Sequence, residues 1–106
     1  MVESTLVQND VLYLYFYLRD KDPISGEITY HDLSAADTIT FRMREYGRDT
    51  NAIQKVCDVF NTTLGCARVF VTIPTSGDYY GEVEVQEVWQ KITWADLIYH
   101  ILPDLG

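Results

Sequence analysis

Glu82 and Glu84 stand two residues apart in Tyr79-Tyr80-Gly81-Glu82-Val83-Glu84-Val85. On a strand that spacing puts both carboxylates on one face, about 7 Å apart at Cβ, within reach of the chemistry of a paired-carboxylate hydrolase. The competing reading is the solvated outer face of a sheet, and it is preferred because acidic residues are spread along the whole chain. Asp20-x-Asp22 followed by Gly26-Glu27 offers some of the oxygen ligands of a calcium loop. Ile24 stands where a third oxygen belongs and the glycine comes one place late, so a solvated hairpin turn is expected instead. Cys57 and Cys66 are the only cysteines, too few for a disulfide scaffold or a zinc site of their own. Neither His31 nor His100 lies at metal-ligand spacing from them. The cysteines flank a turn at Asn61-Thr62-Thr63-Leu64-Gly65, and if Gly65 closes it they are out of register, which predicts two free thiols. The four serines lie in no G-x-S-x-G context, and six scattered glycines form no phosphate loop. No enzymatic role, no cofactor and no metal is expected.

Tyrosine is the unusual residue, with eight in 106 positions. Tyr13, Tyr15 and Tyr17 alternate with Leu12, Leu14, Phe16 and Leu18, so one face of this segment is aromatic and the other aliphatic. A period of two with such residues is a strand, since a helix would scatter both sets. Three readings compete for the tyrosine row. It is covered within the fold, as on a central strand; it is a protein contact surface; or it stacks on sugar rings. Tyr13, Tyr15, Tyr17, Tyr80, Glu82 and Glu84 are the candidate interface residues.

The elements that must carry these side chains follow from the same alternation. After Val11 to Arg19 comes a turn at 20–26, then a short strand at Ile28 to Leu33. Ile39, Phe41 and Met43 alternate with Thr38, Thr40, Arg42 and Arg44 in the next strand. Ile53 to Phe60 and Cys66 to Ile73 read as the two arms of a hairpin, with Ala67, Val69, Val71 and Ile73 as an inner row. Tyr79 to Trp89 is a strand with Gly81, Val83 and Val85 on one side. Residues 93–102 fit a helix by the spacing of Trp94, Leu97, Ile98, Ile101 and Leu102, with Thr93 as cap. A strand is nevertheless expected there, because a two-turn helix is marginal and an open sandwich edge would be left hydrophobic.

The length allows one small domain over residues 1–106, and 47% hydrophobic with 23% charged residues is globular in composition. A net charge of −8 argues against nucleic acid and against an anionic membrane surface as partners. No apolar run approaches the roughly 18 residues of a membrane helix, and the first residues do not read as a signal peptide.

Two stretches carry a family resemblance. His31-Asp32-Leu33-Ser34-Ala35-Ala36-Asp37-Thr38-Ile39-Thr40-Phe41-Arg42-Met43-Arg44 follows the first strand and its turn, and Gly77-Asp78-Tyr79-Tyr80-Gly81-Glu82-Val83-Glu84-Val85 follows the polar hairpin. In this the chain resembles the immunoglobulin-like N-terminal domain of phage baseplate upper proteins and related tail-fibre attachment domains. The resemblance spans nearly the whole chain as a pattern, but only residues 31–44 and 77–85 are specific. It implies a virion structural part, assembled in the host cytoplasm, that docks on other tail or baseplate proteins and forms homo-oligomers. No helical stalk or receptor-binding head follows before Gly106, so a connector, adaptor or decoration role is expected. With the strand spacing, the resemblance predicts an all-β, immunoglobulin-like β-sandwich of about seven strands. A carbohydrate-binding module using the tyrosine row is the alternative.

Overall fold

The computed structural model describes residues 2–105, and every regular element among them is a β-strand. In chain order these are β1 (Val2–Val7), β2 (Val11–Tyr17), β3 (Arg19–Lys21), β4 (Ile28–Tyr30), β5 (Ala36–Glu45), β6 (Ile53–Val56), β7 (Asp58–Asn61), β8 (Cys66–Thr72), β9 (Gly77–Glu87) and β10 (Lys91–Leu102). They form a large sheet in the order β1-β10-β9-β5-β6, a small sheet β2-β8-β7, and a separate hairpin β3-β4. The molecule is all-β and sandwich-like.

The alternation of each strand decides what faces inward. Leu14 and Phe16 of β2 point into the core with Ala67, Val69 and Val71 of β8. From the large sheet come Ile39, Phe41 and Met43 of β5, Tyr79, Val83 and Val85 of β9, and Tyr99 and Ile101 of β10. The sheets meet where Phe16 stacks on Phe41 at 5.0 Å between ring centroids, and Phe41 in turn meets the edge of Tyr99 at 6.1 Å. Each such fully buried side chain contributes about 1.5–3 kcal/mol of transfer free energy, so this row carries much of the stability. Tyr79 buries its ring at the start of β9, and its hydroxyl donates to the Thr75 carbonyl oxygen four residues upstream, at 2.8 Å. Gly65 closes the β7–β8 turn with φ +60°, where a Cβ would lie 2.6 Å from the Leu18 carbonyl oxygen and 2.7 Å from that of His31. Only glycine lets those three segments meet so closely.

Several expectations need correction. The strands number ten rather than seven among the described residues. β1 was not expected; it is an edge strand that pairs parallel to β10, from Val2 opposite Leu97 to Val7 opposite Leu102. The first expected strand breaks at Leu18, where the chain leaves the small sheet and continues as β3. The arm from Ile53 to Phe60 is also two strands in different sheets. β6 pairs with β5, the Cys57 N–H still bonds to the Ile39 carbonyl oxygen, and β7 then pairs with β8. The strand expected at Ile28 to Leu33 ends at Tyr30.

Residues 91–102 form a strand, as expected, and the helical spacing has a specific cause. The β9–β10 register advances from Trp94 opposite Val83 to Leu97 opposite Gly81, so a bulge inserts one extra residue between them. Trp94, Leu97, Tyr99 and Ile101 therefore share the inward side, although the first step between them is three residues.

Candidate interaction surface

The outward side of the small sheet collects the tyrosine row and three further groups. The antiparallel register sets Tyr13 opposite Phe70, Tyr15 opposite Arg68 and Tyr17 opposite Cys66. Side chains directly opposite share a face, so the β8 row continues the β2 row. Phe60 joins them because the β7–β8 register passes from Val59 opposite Ala67 to Asn61 opposite Cys66, leaving Phe60 as the extra residue of a bulge. The Tyr13 ring meets Phe70 edge-on at 4.9 Å, and Tyr15 meets Phe60 edge-on at 5.4 Å. The Arg68 guanidinium lies over this cluster, 4.6 Å from the Tyr13 ring centre and 4.9 Å from that of Phe60. Its Nε is buried and has no hydrogen-bond partner among the described residues, so π faces rather than carboxylates hold this cation.

Among the described residues no strand or loop buries the row. Tyr13, Tyr15 and Tyr17 are 39, 46 and 53% exposed, and Phe60 and Phe70 are 53 and 44% exposed. The expectation of burial within the fold is therefore set aside: β2 is an edge strand with its outward side open to solvent. Under the far end of the row, Cys66 is fully buried on the same side, and a hydrogen bond to it holds the Tyr17 hydroxyl pKa above its ordinary value. Cys57 and Cys66 are both buried free thiols, and burial pushes Cys57 up to about 12.

Tyr80, Glu82 and Glu84 lie elsewhere, on the outward side of the large sheet. Arg42 of β5 donates through one nitrogen to Glu84 at 2.9 Å and to Glu82 at 3.3 Å, and the Glu84 bond leads the causes that raise the Arg42 pKa. The carboxylates share a cation rather than flanking a cleft, as on a solvated sheet face. Tyr80 packs on Tyr46 at 5.4 Å. The six candidate interface residues thus divide between two opposite faces and form no single site.

One cluster had no signal in the sequence. His31, buried, shares hydrogen bonds through Nδ1 with Asp20 at 2.6 Å and through Nε2 with Glu87 at 2.9 Å, while Trp94 packs against the ring at 5.4 Å. Both ring nitrogens face carboxylates, an arrangement that favours the imidazolium form. Burial alone would lower its pKa most, but the bonds to Asp20 and Glu87 and their charges together outweigh it and raise it. The Glu87 pKa is lowered, first by a hydrogen bond from Gln90 at 2.7 Å and then by His31. Asp20 is in β3 and Glu87 ends β9, so the imidazolium ties the β3–β4 hairpin to the β9–β10 turn. With both nitrogens engaged the ring has none to offer a nucleophile, and the arrangement is a clamp.

The loop at 20–26 is a capped turn. Asp22 accepts the Ile24 and Ser25 N–H groups at 2.8 and 3.1 Å, which lowers its pKa. Among the described residues no three His, Cys, Asp or Glu side chains are grouped as a metal would require. No protein-family model matches the chain, and no curated protein matches it either.

Proposed function

We propose that this chain is a docking module, a connector of a phage tail or baseplate that works by protein–protein contact through the aromatic face of its small sheet. The observation that carries the reading is the open row of Tyr13, Tyr15, Phe60 and Phe70 around Arg68. Aromatic residues and arginine dominate the energetic centres of protein interfaces, and a large exposed apolar patch on a soluble domain marks a contact site. The phage assignment rests on the resemblance of residues 31–44 and 77–85, and it brings homo-oligomers within a virion with it.

An immunoglobulin-like fold accords with this reading. The order β2-β8-β7 corresponds to strands B, E and D of such a sandwich, and β10-β9-β5-β6 to G, F, C and C′. The Tyr79 bond to Thr75 has the form of the tyrosine corner at the start of strand F. The carbohydrate alternative draws less support, because rings at 75° to their neighbours make edge-packed pairs rather than a flat stacking platform.

The test is co-expression of the tagged chain with the products of the genes that flank its own. A stoichiometric complex with a tail protein that survives gel filtration, and that a Tyr15→Thr/Phe70→Thr variant loses, is the expected result. Failure to bind any of them, with saturable glycan binding lost in the same variant, would put the carbohydrate reading in its place.

A further inference from the structure

We infer that the free edge of β2 accepts one extended strand from a partner protein, which completes the small sheet and fills a groove between the two sheets. This uses the edge of β2 rather than its outward face, and so goes beyond the aromatic contact proposed above.

The edge is open by the hydrogen-bond pattern. The Leu18 N–H bonds to the Gly65 carbonyl oxygen and the Ile73 N–H to the Asp10 carbonyl oxygen. Alternation in an antiparallel ladder then assigns Leu12, Leu14 and Phe16 to β8 and turns the main-chain groups of Val11, Tyr13 and Tyr15 the other way. No strand among the described residues pairs on that side. Natural edges are normally blunted by lysine, proline or a bulge, and Val11–Tyr17 contains none of these and no charge.

The neighbouring groove fixes what the strand must carry. Phe16 of β2 sits on Phe41 of β5, so the large sheet runs on past the small one on the side of β9, β10 and β1. The gap holds about 470 Å³, lined chiefly by Phe16, Leu18, Val83, Trp94 and Leu97. Trp94 and Leu97 remain only partly buried there. A strand laid along β2 would bond to its free main-chain groups and send every second side chain into this gap.

The same overhang selects the occupant. If β2 of a second copy paired on this edge, that copy's large sheet would need the space that β10 and β1 already fill. A single segment fits where a second sandwich does not. Charge completes the description: the chain carries −8, with Asp10 immediately before β2, so the partner strand is apolar at its centre and cationic at its flanks.

The probe is a blocked peptide of alternating valine and threonine with two lysines at each end, added to the whole protein while amide hydrogen exchange is followed by NMR. Saturating peptide is expected to slow the Tyr13 and Tyr15 amides at least tenfold and to change Leu14 and Phe16, already bonded to β8, less than twofold. Tyr15→Pro, which removes an outward N–H along with the ring, is expected to weaken peptide binding at least tenfold, whereas Tyr15→Thr, which removes the ring alone, is expected to leave it unchanged. Leu97→Lys, in the groove, is expected to weaken it as Tyr15→Pro does, without touching the strand. Phe70→Thr, on the outward face, should leave peptide protection unchanged even as it weakens the aromatic contact. No protection at millimolar peptide would overturn the inference. So would protection that survives N-methylation of both the valines and the threonines, or protection without peptide that grows with protein concentration.

Discussion

On the large sheet the outward row of β9 carries Tyr80, Glu82 and Glu84, and the facing row of β5 carries Thr40, Arg42 and Arg44. On the small sheet the outward row of β2 carries three tyrosines, and the facing row of β8 carries Arg68 and Phe70. Both rows come from the same period of two, and both lie opposite an aliphatic inner row. Yet Arg42 is neutralised by two glutamates in a partly solvated network, whereas Arg68 is held by two rings with its Nε unpartnered. The first face is adapted to water. The second carries apolar area and a cation that the molecule itself does not use up. Alternation therefore says which side of a strand is outward, while the chemistry of the cross-strand partners says what that side is for.

The largest expected effect concerns neither face but the core between them. Phe41→Ala removes a ring with no exposed surface that touches Phe16 and Tyr99, and it should cost about 3–5 kcal/mol in urea denaturation. That value is the benchmark against which changes on either face are read. A cost below about 1 kcal/mol would mean that the sheets do not depend on this contact.

Next comes the clamp, which separates the two ends of the sandwich. His31→Gln leaves Glu87 buried beside a neutral amide and should cost about 2 kcal/mol at pH 6. The pH dependence has a definite sign. The raised His31 pKa contributes stability that is complete below its ordinary value of 6.5 and is lost as pH rises through the folded value. The lowered Glu87 pKa contributes stability that is complete above its ordinary 4.5 and is lost as pH falls through the folded value. The clamp is therefore at full strength between about 4.5 and 6.5, and urea midpoints should decline on the alkaline side. His100, held by Asp78, acts in the same direction, so the measurement belongs in a His100→Gln background. There His31→Gln should flatten the alkaline decline, and an unchanged decline would remove His31 from the account.

Much of this architecture is written locally, and the remainder is written nowhere in particular. The inner rows of β2, β5, β8 and β9 are readable because each strand repeats its own contrast over five or more residues. β1 is not, since Glu3, Ser4 and Thr5 give it little apolar contrast and it becomes a strand only by pairing with residues 97–102. The break at Cys57 is invisible for a related reason: a chain that changes sheet keeps its extended backbone and its alternation. The bulge after Trp94 imitates a helical stripe. The clamp joins residues 11 and 56 positions from His31, and no local pattern encodes such a distance.

A smaller effect tests the water-adapted face. Arg42→Ala should cost no more than about 1 kcal/mol, and the difference from wild type should shrink in high salt, because the pairs to Glu82 and Glu84 are partly exposed. A larger, salt-independent cost would show that this face too is part of the structural framework.

The central claim is that the aromatic face serves contact rather than the fold, and the urea unfolding free energy of the Tyr15→Thr/Phe70→Thr double variant tests it most directly. Threonine keeps the strand preference while removing both rings and their edge contacts to Phe60 and Tyr13. Edge-on aromatic pairs contribute about 0.5–1.5 kcal/mol each, and less at an open surface, so a total loss of about 1–3 kcal/mol is expected, below that of Phe41→Ala. A loss that matches or exceeds that of Phe41→Ala would contradict the account and make the tyrosine row part of the core.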